Sequence, residues 1–187
     1  MAESTNNVVM HGARGLVGKM LVFSIRAGKT IISNRPKRST KPPTENQILV
    51  REKFRDAITY ATAANTDPVT KELYLTKAKP GVSAFNVAAA DFSFAPDIKE
   101  IITTGYNGDV GSAILVKAID DFKVDRVHVV IKTPAGVIVE QGNALIQANG
   151  LDWKFTATVD NASITGCTVT ATAYDLPGNS YTSNKTL

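Results

Sequence analysis

The chain is poor in the side chains that catalysis and cross-linking use. Its 187 residues include one cysteine, Cys167, and two histidines, His11 and His128. A single thiol closes no internal disulfide, and without a Cys-x-x-Cys pair there is no zinc ligand set of the usual spacing. Cys167 is expected at the start of a strand, as a small buried hydrophobe. His128 is expected on a strand face opposite Val127 and Val129. Two isolated imidazoles supply neither a nucleophilic triad nor a histidine metal centre. No catalytic residue, metal ligand or cofactor is assigned, and the chain is expected not to be an enzyme.

Long apolar runs are also missing. No stretch of about 18 apolar residues exists, so no helix that spans a membrane is expected. The polar start, Met1-Ala-Glu-Ser-Thr-Asn-Asn7, lacks the basic-then-apolar order of a secretory signal. The expected location is the cytoplasm, or a particle released from it.

A third scarcity is of acid in one region. Between Glu3 and Glu45 there is no Asp or Glu, while Arg14, Lys19, Arg26, Lys29, Arg35, Lys37, Arg38 and Lys41 fall there. The net charge of +4 hides this imbalance: Met1 to Asp97 holds 14 Lys and Arg against 8 Asp and Glu, and the remainder holds 7 against 9. A segment of one sign favours an anionic partner, either nucleic acid or an acidic protein face. Arg26, Lys29, Arg35, Lys37, Arg38 and Lys41 are the candidate contacts. Phe23 is the only aromatic residue before Arg51, so base stacking from this segment is not expected.

What is present reads as two modules. Residues 1–13 read as an arm. From Gly15 to Arg26 the apolar positions Val17, Leu21, Phe23 and Ile25 share one parity, which predicts a strand. A turn at Ala27-Gly-Lys29 leads into a β-branched return strand at Thr30 to Ser33, giving a hairpin. Asn34-Arg-Pro-Lys-Arg-Ser-Thr-Lys-Pro-Pro43 excludes helix and central strand and reads as a linker or extended binding segment. Thr44-Glu-Asn-Gln47 fits a capping box and predicts a helix with its core stripe at Val50, Phe54, Ala57, Ile58 and Ala61. Asp67-Pro68 predicts a second helix start, running to about Ala78. Ser83 to about Phe92 predicts a third, with Phe85, Ala88, Ala89 and Phe92 on one face.

Near Asp97 the pattern changes to period two. Strands are predicted over 98–103, 113–118, 126–133, 137–140, 153–158, 168–174 and 181–186, separated by turn signals every eight to twelve residues. Val127, Val129 and Ile131 face one way, as do Trp153 with Phe155 and Val169 with Ala171 and Ala173. About seven short strands in about 90 residues is the expectation for an immunoglobulin-like sandwich.

Two stretches carry a resemblance. Thr170-Ala-Thr-Ala-Tyr-Asp175-Leu-Pro-Gly-Asn179 resembles the penultimate strand and turn of bacterial Ig-like and fibronectin-like repeats. Ala118-Ile-Asp-Asp-Phe122 with Val127-His-Val-Val-Ile131 resembles their second and third strands. The resemblance covers about half the chain and implies a passive adhesive or spacer role, with no reaction. Gly15 to Gly18, Gly28-Lys29, Arg35-Pro-Lys37 and Thr44 to Gln47 resemble an uncharacterised bacterial family without an assigned activity.

Two nucleotide-binding readings fail. Gly28-Lys29-Thr30 has Phe23 where a phosphate-binding loop needs glycine, and it joins two strands instead of opening a helix. Gly12 to Lys19 has the wrong spacing, with Met20 in place of the hydroxyl residue. Asp109, Asp120, Asp121, Asp125 and Asp175 fall in predicted turns without EF-hand spacing, and are read as solvated turn carboxylates.

The fold expected is therefore an α+β module, a β-hairpin plus helices, over residues 1–96, followed by an all-β Ig-like sandwich over residues 97–187. The function expected is that of a structural or interaction protein, a subunit of a larger assembly such as a phage or phage-like particle. Its partners would be copies of itself or other subunits. The alternative is sequence-independent nucleic-acid binding through the basic segment. A hydrolase with an acidic site, built from Asp or Glu side chains that converge in space, stands last because no motif marks it.

Overall fold

The computed structural model describes residues 2–4, 8, 10, 12–26, 28–37 and 40–187, with the backbone alone at 2–4. Among these, the chain is mixed α+β, with three helices and three antiparallel four-stranded sheets. Contacts divide it into residues 1–49 and residues 50–187.

The first unit is a sheet in the order β1-β4-β3-β2, from β1 (Ala2–Ser4), β2 (Gly15–Val17), β3 (Leu21–Arg26) and β4 (Lys29–Asn34). The stretch expected as one strand from Gly15 to Arg26 is broken at Gly18-Lys19. Gly18 and Lys19 take φ of 58° and 57°, and the Met20 amide donates to the Val17 carbonyl at 3.2 Å. Two central residues at positive φ are the pattern of a type I′ turn, which matches the twist of the strands it joins. Lysine there costs about 1–2 kcal/mol relative to a right-handed residue. Residues 2–4, expected within a flexible or docking arm, pair with β4, Ala2 opposite Ile32 and Ser4 opposite Thr30.

Register assigns the faces of this sheet, because directly paired residues share one. Val17, Leu21, Phe23, Ile25 and Ile32 lie on one face. Only Phe23 of these is buried, and Val17, Leu21 and Ile25 are exposed. The other face carries Leu16, Val22, Ser24, Arg26, Lys29, Ile31 and Ser33. Across the described residues of the sheet, Phe23, Thr30 and Ile31 are the buried side chains, so it has almost no core of its own.

The capping box forms as expected at the start of α1 (Glu45–Thr66). The Thr44 amide donates to Gln47 Oε1 at 3.1 Å and the Gln47 amide to Thr44 Oγ1 at 3.4 Å. The expected core stripe is corrected. Ala57, Ala61 and Ala64 are buried, while Val50 and Phe54 are exposed. The stripe therefore holds at Ala57 and Ala61, with Ile58 half-buried, continues at Ala64, and fails in the first turns of the helix. Helix α2 (Pro68–Leu75) starts on the Asp67 cap, whose side chain accepts from the Thr70 amide, and ends three residues before Ala78. Helix α3 (Ala84–Ser93) starts on the Ser83 cap.

The two remaining sheets share one apolar interior. One is ordered β5-β6-β10-β9, from β5 (Asp97–Ile102), β6 (Ala113–Ile119), β10 (Asp152–Thr156) and β9 (Leu145–Ile146). The other is ordered β12-β11-β7-β8, from β12 (Ser180–Thr186), β11 (Thr168–Asp175), β7 (Val124–Lys132) and β8 (Ile138–Asn143). Ile114 and Val116 from β6 meet Trp153 and Phe155 from β10, Val127, Val129 and Ile131 from β7, and Val169, Ala171 and Ala173 from β11. The alternation read from the sequence thus places these side chains inward.

The helices do not form a core separate from these strands. Ala61, Ala64, Tyr74, Ala84 and Ala88 pack with Phe122, from the β6–β7 connection, and Leu176, from the β11–β12 connection. The division of contacts at 49/50 therefore differs from the 96/97 boundary expected from the change in periodicity. Among the described residues, no helix is long and apolar enough to cross a membrane.

Candidate functional site

The basic candidates are placed first. Arg26 ends β3 and Lys29 opens β4, paired across the hairpin end on the face opposite Val17, Leu21 and Ile25. Arg35 and Lys37 follow β4 and, with Lys19, Met20, Asn34 and Pro36, line a groove of about 590 Å³. The Arg35 amide donates to the Met20 carbonyl at 2.8 Å, which holds the two rims of the groove together. Lys41 is exposed in the segment leading to α1. Arg38 lies outside the described residues, as does His11. The fold thus gathers Lys19, Arg35 and Lys37 at one end of the sheet and leaves Arg26 and Lys29 at the hairpin end. Lys19 was not among the candidates; its place across from Arg35 follows from the turn at Gly18-Lys19.

The two reactive side chains of the second unit are engaged in packing. Cys167 is fully buried just before β11; its thiol donates to the Ser163 carbonyl at 3.1 Å. His128 pairs across strands with Asn143, Nδ1 to Oδ1 at 3.0 Å.

A second cluster was not expected. Asp91 from α3, Asp120 from the β6–β7 connection and Asp175 at the end of β11 bring carboxylate oxygens within 4.8 Å of one another. Asp91 is wholly buried and Asp175 nearly so. Each carboxylate is oriented by donors behind it. The Tyr74 hydroxyl donates to Asp91 Oδ2 at 2.6 Å, and the Tyr60 and Tyr74 hydroxyls lie 2.8 Å apart. The Phe122 and Lys123 amides donate to Asp120 Oδ2 at 3.1 and 2.7 Å. The Gly178 amide and Asn179 Nδ2 donate to the two oxygens of Asp175 at 2.8 and 2.7 Å. Asn179 Nδ2 also reaches the Phe92 and Phe94 carbonyls, which ties the end of α3 to the β11–β12 turn. Asp91 Oδ1 and Asp120 Oδ1 are left buried with no donor.

The electrostatics follow from this crowding. Burial pushes the Asp91 carboxyl up to about 7, against the Tyr74 hydrogen bond, with Asp120, Asp175 and Asp121 adding repulsion. Burial also raises Asp175, and burial with the neighbouring Asp120 raises Asp121. Burial raises Tyr74 far above the usual phenol range, and its bond to Asp91 adds to the effect. Among the described residues, no Lys or Arg is ion-paired with Asp91, Asp120 or Asp175; the ion pair formed is Lys99 with Asp97. The set is all hard oxygen, the donor type of Ca²⁺ and Mg²⁺ rather than of zinc or copper.

Asp120 and Asp175 were among the turn carboxylates read as solvated; the packing of α3 buries Asp175 and brings Asp91 to both. One signal was available. Asp91 follows Ala84 and Ala88 at i+7 and i+3, so it continues the buried stripe of its helix. An acid on that stripe must find a partner.

No protein-family model matches the chain, and no curated protein matches it. Among solved structures it is similar to an engineered protein known from its crystal structure, at 16% identity and a TM-score of 0.35. The alignment covers 55% of this chain and 25% of that one, so the chain spans about a quarter of that protein's length.

Proposed function

We propose that the chain is a non-enzymatic structural or interaction protein, a subunit of a larger assembly such as a phage or phage-like particle. It docks through its first 49 residues and presents an Ig-like module. The strand order supports the Ig-like reading: β5-β6-β10-β9 and β12-β11-β7-β8 correspond to the orders A-B-E-D and G-F-C-C′ of immunoglobulin sandwiches. The chain departs from antibody domains in having no inter-sheet disulfide, and in carrying its tryptophan on β10, which corresponds to strand E rather than C.

The observation that carries the docking role is the face of the first sheet. Val17 is 55% exposed, Leu21 38% and Ile25 37%, side by side on a sheet with almost no core. Such a sheet does not offset the entropy of ordering its strands from its own contacts, and a neighbouring subunit supplies the missing apolar partner. Leu21 is exposed on this face directly beside Val17, with which it pairs, so Leu21→Lys is the informative change. Light scattering on the full chain over rising concentration is expected to give masses above the 20.0 kDa of one chain, and Leu21→Lys is expected to return it to a monomer without altering unfolding of the second unit. A parent chain that stays monomeric throughout would overturn the reading.

The basic groove of Lys19, Arg35 and Lys37 favours a second reading, sequence-independent contact with nucleic-acid phosphates. Under that reading association requires added nucleic acid and weakens steeply with salt.

A further inference from the structure

We infer that Asp91, Asp120 and Asp175 hold a divalent cation of the calcium type, which clamps helix α3 to the ends of the two sheets.

Three observations meet here. First, the oxygens are spaced for one ion. Ca²⁺ binds oxygen at about 2.3–2.6 Å, so two oxygens on one ion stand at most about 5 Å apart; the three residues offer oxygens within 4.8 Å of one another. Second, two buried acceptors of the cluster itself are unanswered. Asp91 is 0% exposed, its Oδ2 is taken by Tyr74, and its Oδ1 has no donor. Asp120 repeats the arrangement, with two amides on Oδ2 and none on Oδ1. A buried polar atom without a partner is rare and costly, and a buried carboxylate oxygen more so. Third, no side-chain cation among the described residues pairs with the cluster. A divalent ion supplies both the missing charge and the missing partner for the free oxygens.

The surroundings suit this role. The Tyr74 hydroxyl, the Phe122 and Lys123 amides, the Gly178 amide and Asn179 donate to the carboxylates from outside, the outer shell that orients metal-ligating groups. The three acids come from three separate parts of the chain, α3, the connection after β6 and the end of β11, so one ion joins them. Three protein ligands leave the rest of a six- to eight-coordinate shell to water, which places the affinity at the weak end of the calcium range, with Kd on the order of 10⁻³ M. This inference is independent of how the first 49 residues dock.

The test is thermal unfolding of the full chain, first stripped with EDTA and then titrated with Ca²⁺ alone. At about tenfold excess over a Kd on the order of 10⁻³ M, Tm should rise by about 3–6 °C. The shift should vanish in Asp91→Asn and in Asp120→Asn, and persist in Asp125→Asn, a control on an exposed acid of β7. Terbium luminescence covers the case of a variant that does not fold. Tb³⁺ takes the same oxygen ligands, and Tyr74, bonded to Asp91, lies close enough to sensitise it. Tyrosine-excited emission that Ca²⁺ displaces is expected of the parent chain. The absence of a Ca²⁺-dependent shift in the parent, a shift that survives in folded Asp91→Asn or Asp120→Asn, or the absence of displaceable emission overturns the inference and leaves the cluster to be neutralised by protons.

Discussion

Trp153→Ala is expected to lower the stability of the second unit by about 3–5 kcal/mol, the range for removing a large aromatic side chain from a packed interior. Trp153 is 6% exposed and sits on β10, opposite Val116 of β6 on one side and Ile146 of β9 on the other. It belongs to the cluster that joins both sheets, so its loss opens a cavity between them. It is also the chain's one tryptophan, so unfolding in urea must be followed by circular dichroism to compare parent and variant. Leu145→Ala is the control. Leu145 is 74% exposed on β9, and its change should fall within about 0.5 kcal/mol of zero. A Trp153→Ala cost as small as the control's would show that the two sheets do not share the interior described.

The second large effect is a pH dependence with an unusual sign. In its buried site the Asp91 carboxyl titrates near 7, whereas in the unfolded chain it titrates near the ordinary value of 3.8. Between those values the folded chain holds a proton that the unfolded chain has released. Stability from this group is therefore full below about pH 4, and is lost as pH rises toward 7 and past it. At about 1.4 kcal/mol per unit, the loss is on the order of a few kcal/mol. Carboxylates that are ion-paired or well hydrogen-bonded in the folded state act in the opposite direction. Asp175 is raised in the same direction and adds to the slope. Asp91→Asn keeps an acceptor for the Tyr74 hydroxyl and removes the charge. Measured in EDTA, the variant should match the parent near pH 4 and exceed it in stability at pH 8. Parent stability that rises across this window, or a variant no more stable than the parent at pH 8, contradicts the assignment.

The strands of the two-sheet part were legible because they alternate. Val127, Val129 and Ile131, and likewise Val169, Ala171 and Ala173, could face one interior in only one phase, and their strand limits fall within two residues of those expected. β9 escaped because two residues carry no period. Helix starts were legible because Thr44, Asp67 and Ser83 are capping residues with a chemical reason to stand where they do. The turn at Gly18-Lys19 was hidden by parity. Val17 pairs directly with Leu21 across it, so Val17, Leu21, Phe23 and Ile25 share a face whether the chain runs straight or doubles back. The stripe on α1 was legible from Ala57 to Ala61 and failed before it, because periodicity marks apolar residues without saying where along the helix the packing begins. Val50 and Phe54 satisfy the period and lie exposed, while Ala57 and Ala61, of the same stripe, are buried, as is Ala64.

The acidic cluster was out of reach for another reason. Asp91 is 29 residues from Asp120 and 84 from Asp175, and nothing local links them. Their meeting depends on the helices packing against Phe122 and Leu176, a tertiary fact. The basic segment was legible as charge but not as shape. Lys19 joins Arg35 and Lys37 only because the chain turns at Gly18.

Hydrogen exchange along the whole chain tests most directly whether the first 49 residues depend on a partner for their stability. In dilute solution, amides of β6, β7, β10 and β11 should be the slowest to exchange, while those of β2, β3 and β4 exchange far faster and slow only as the chains associate. Amides of β2 to β4 as protected in a dilute monomer as those of β7 and β11 would contradict it, because the sheet would then be stable without a neighbour.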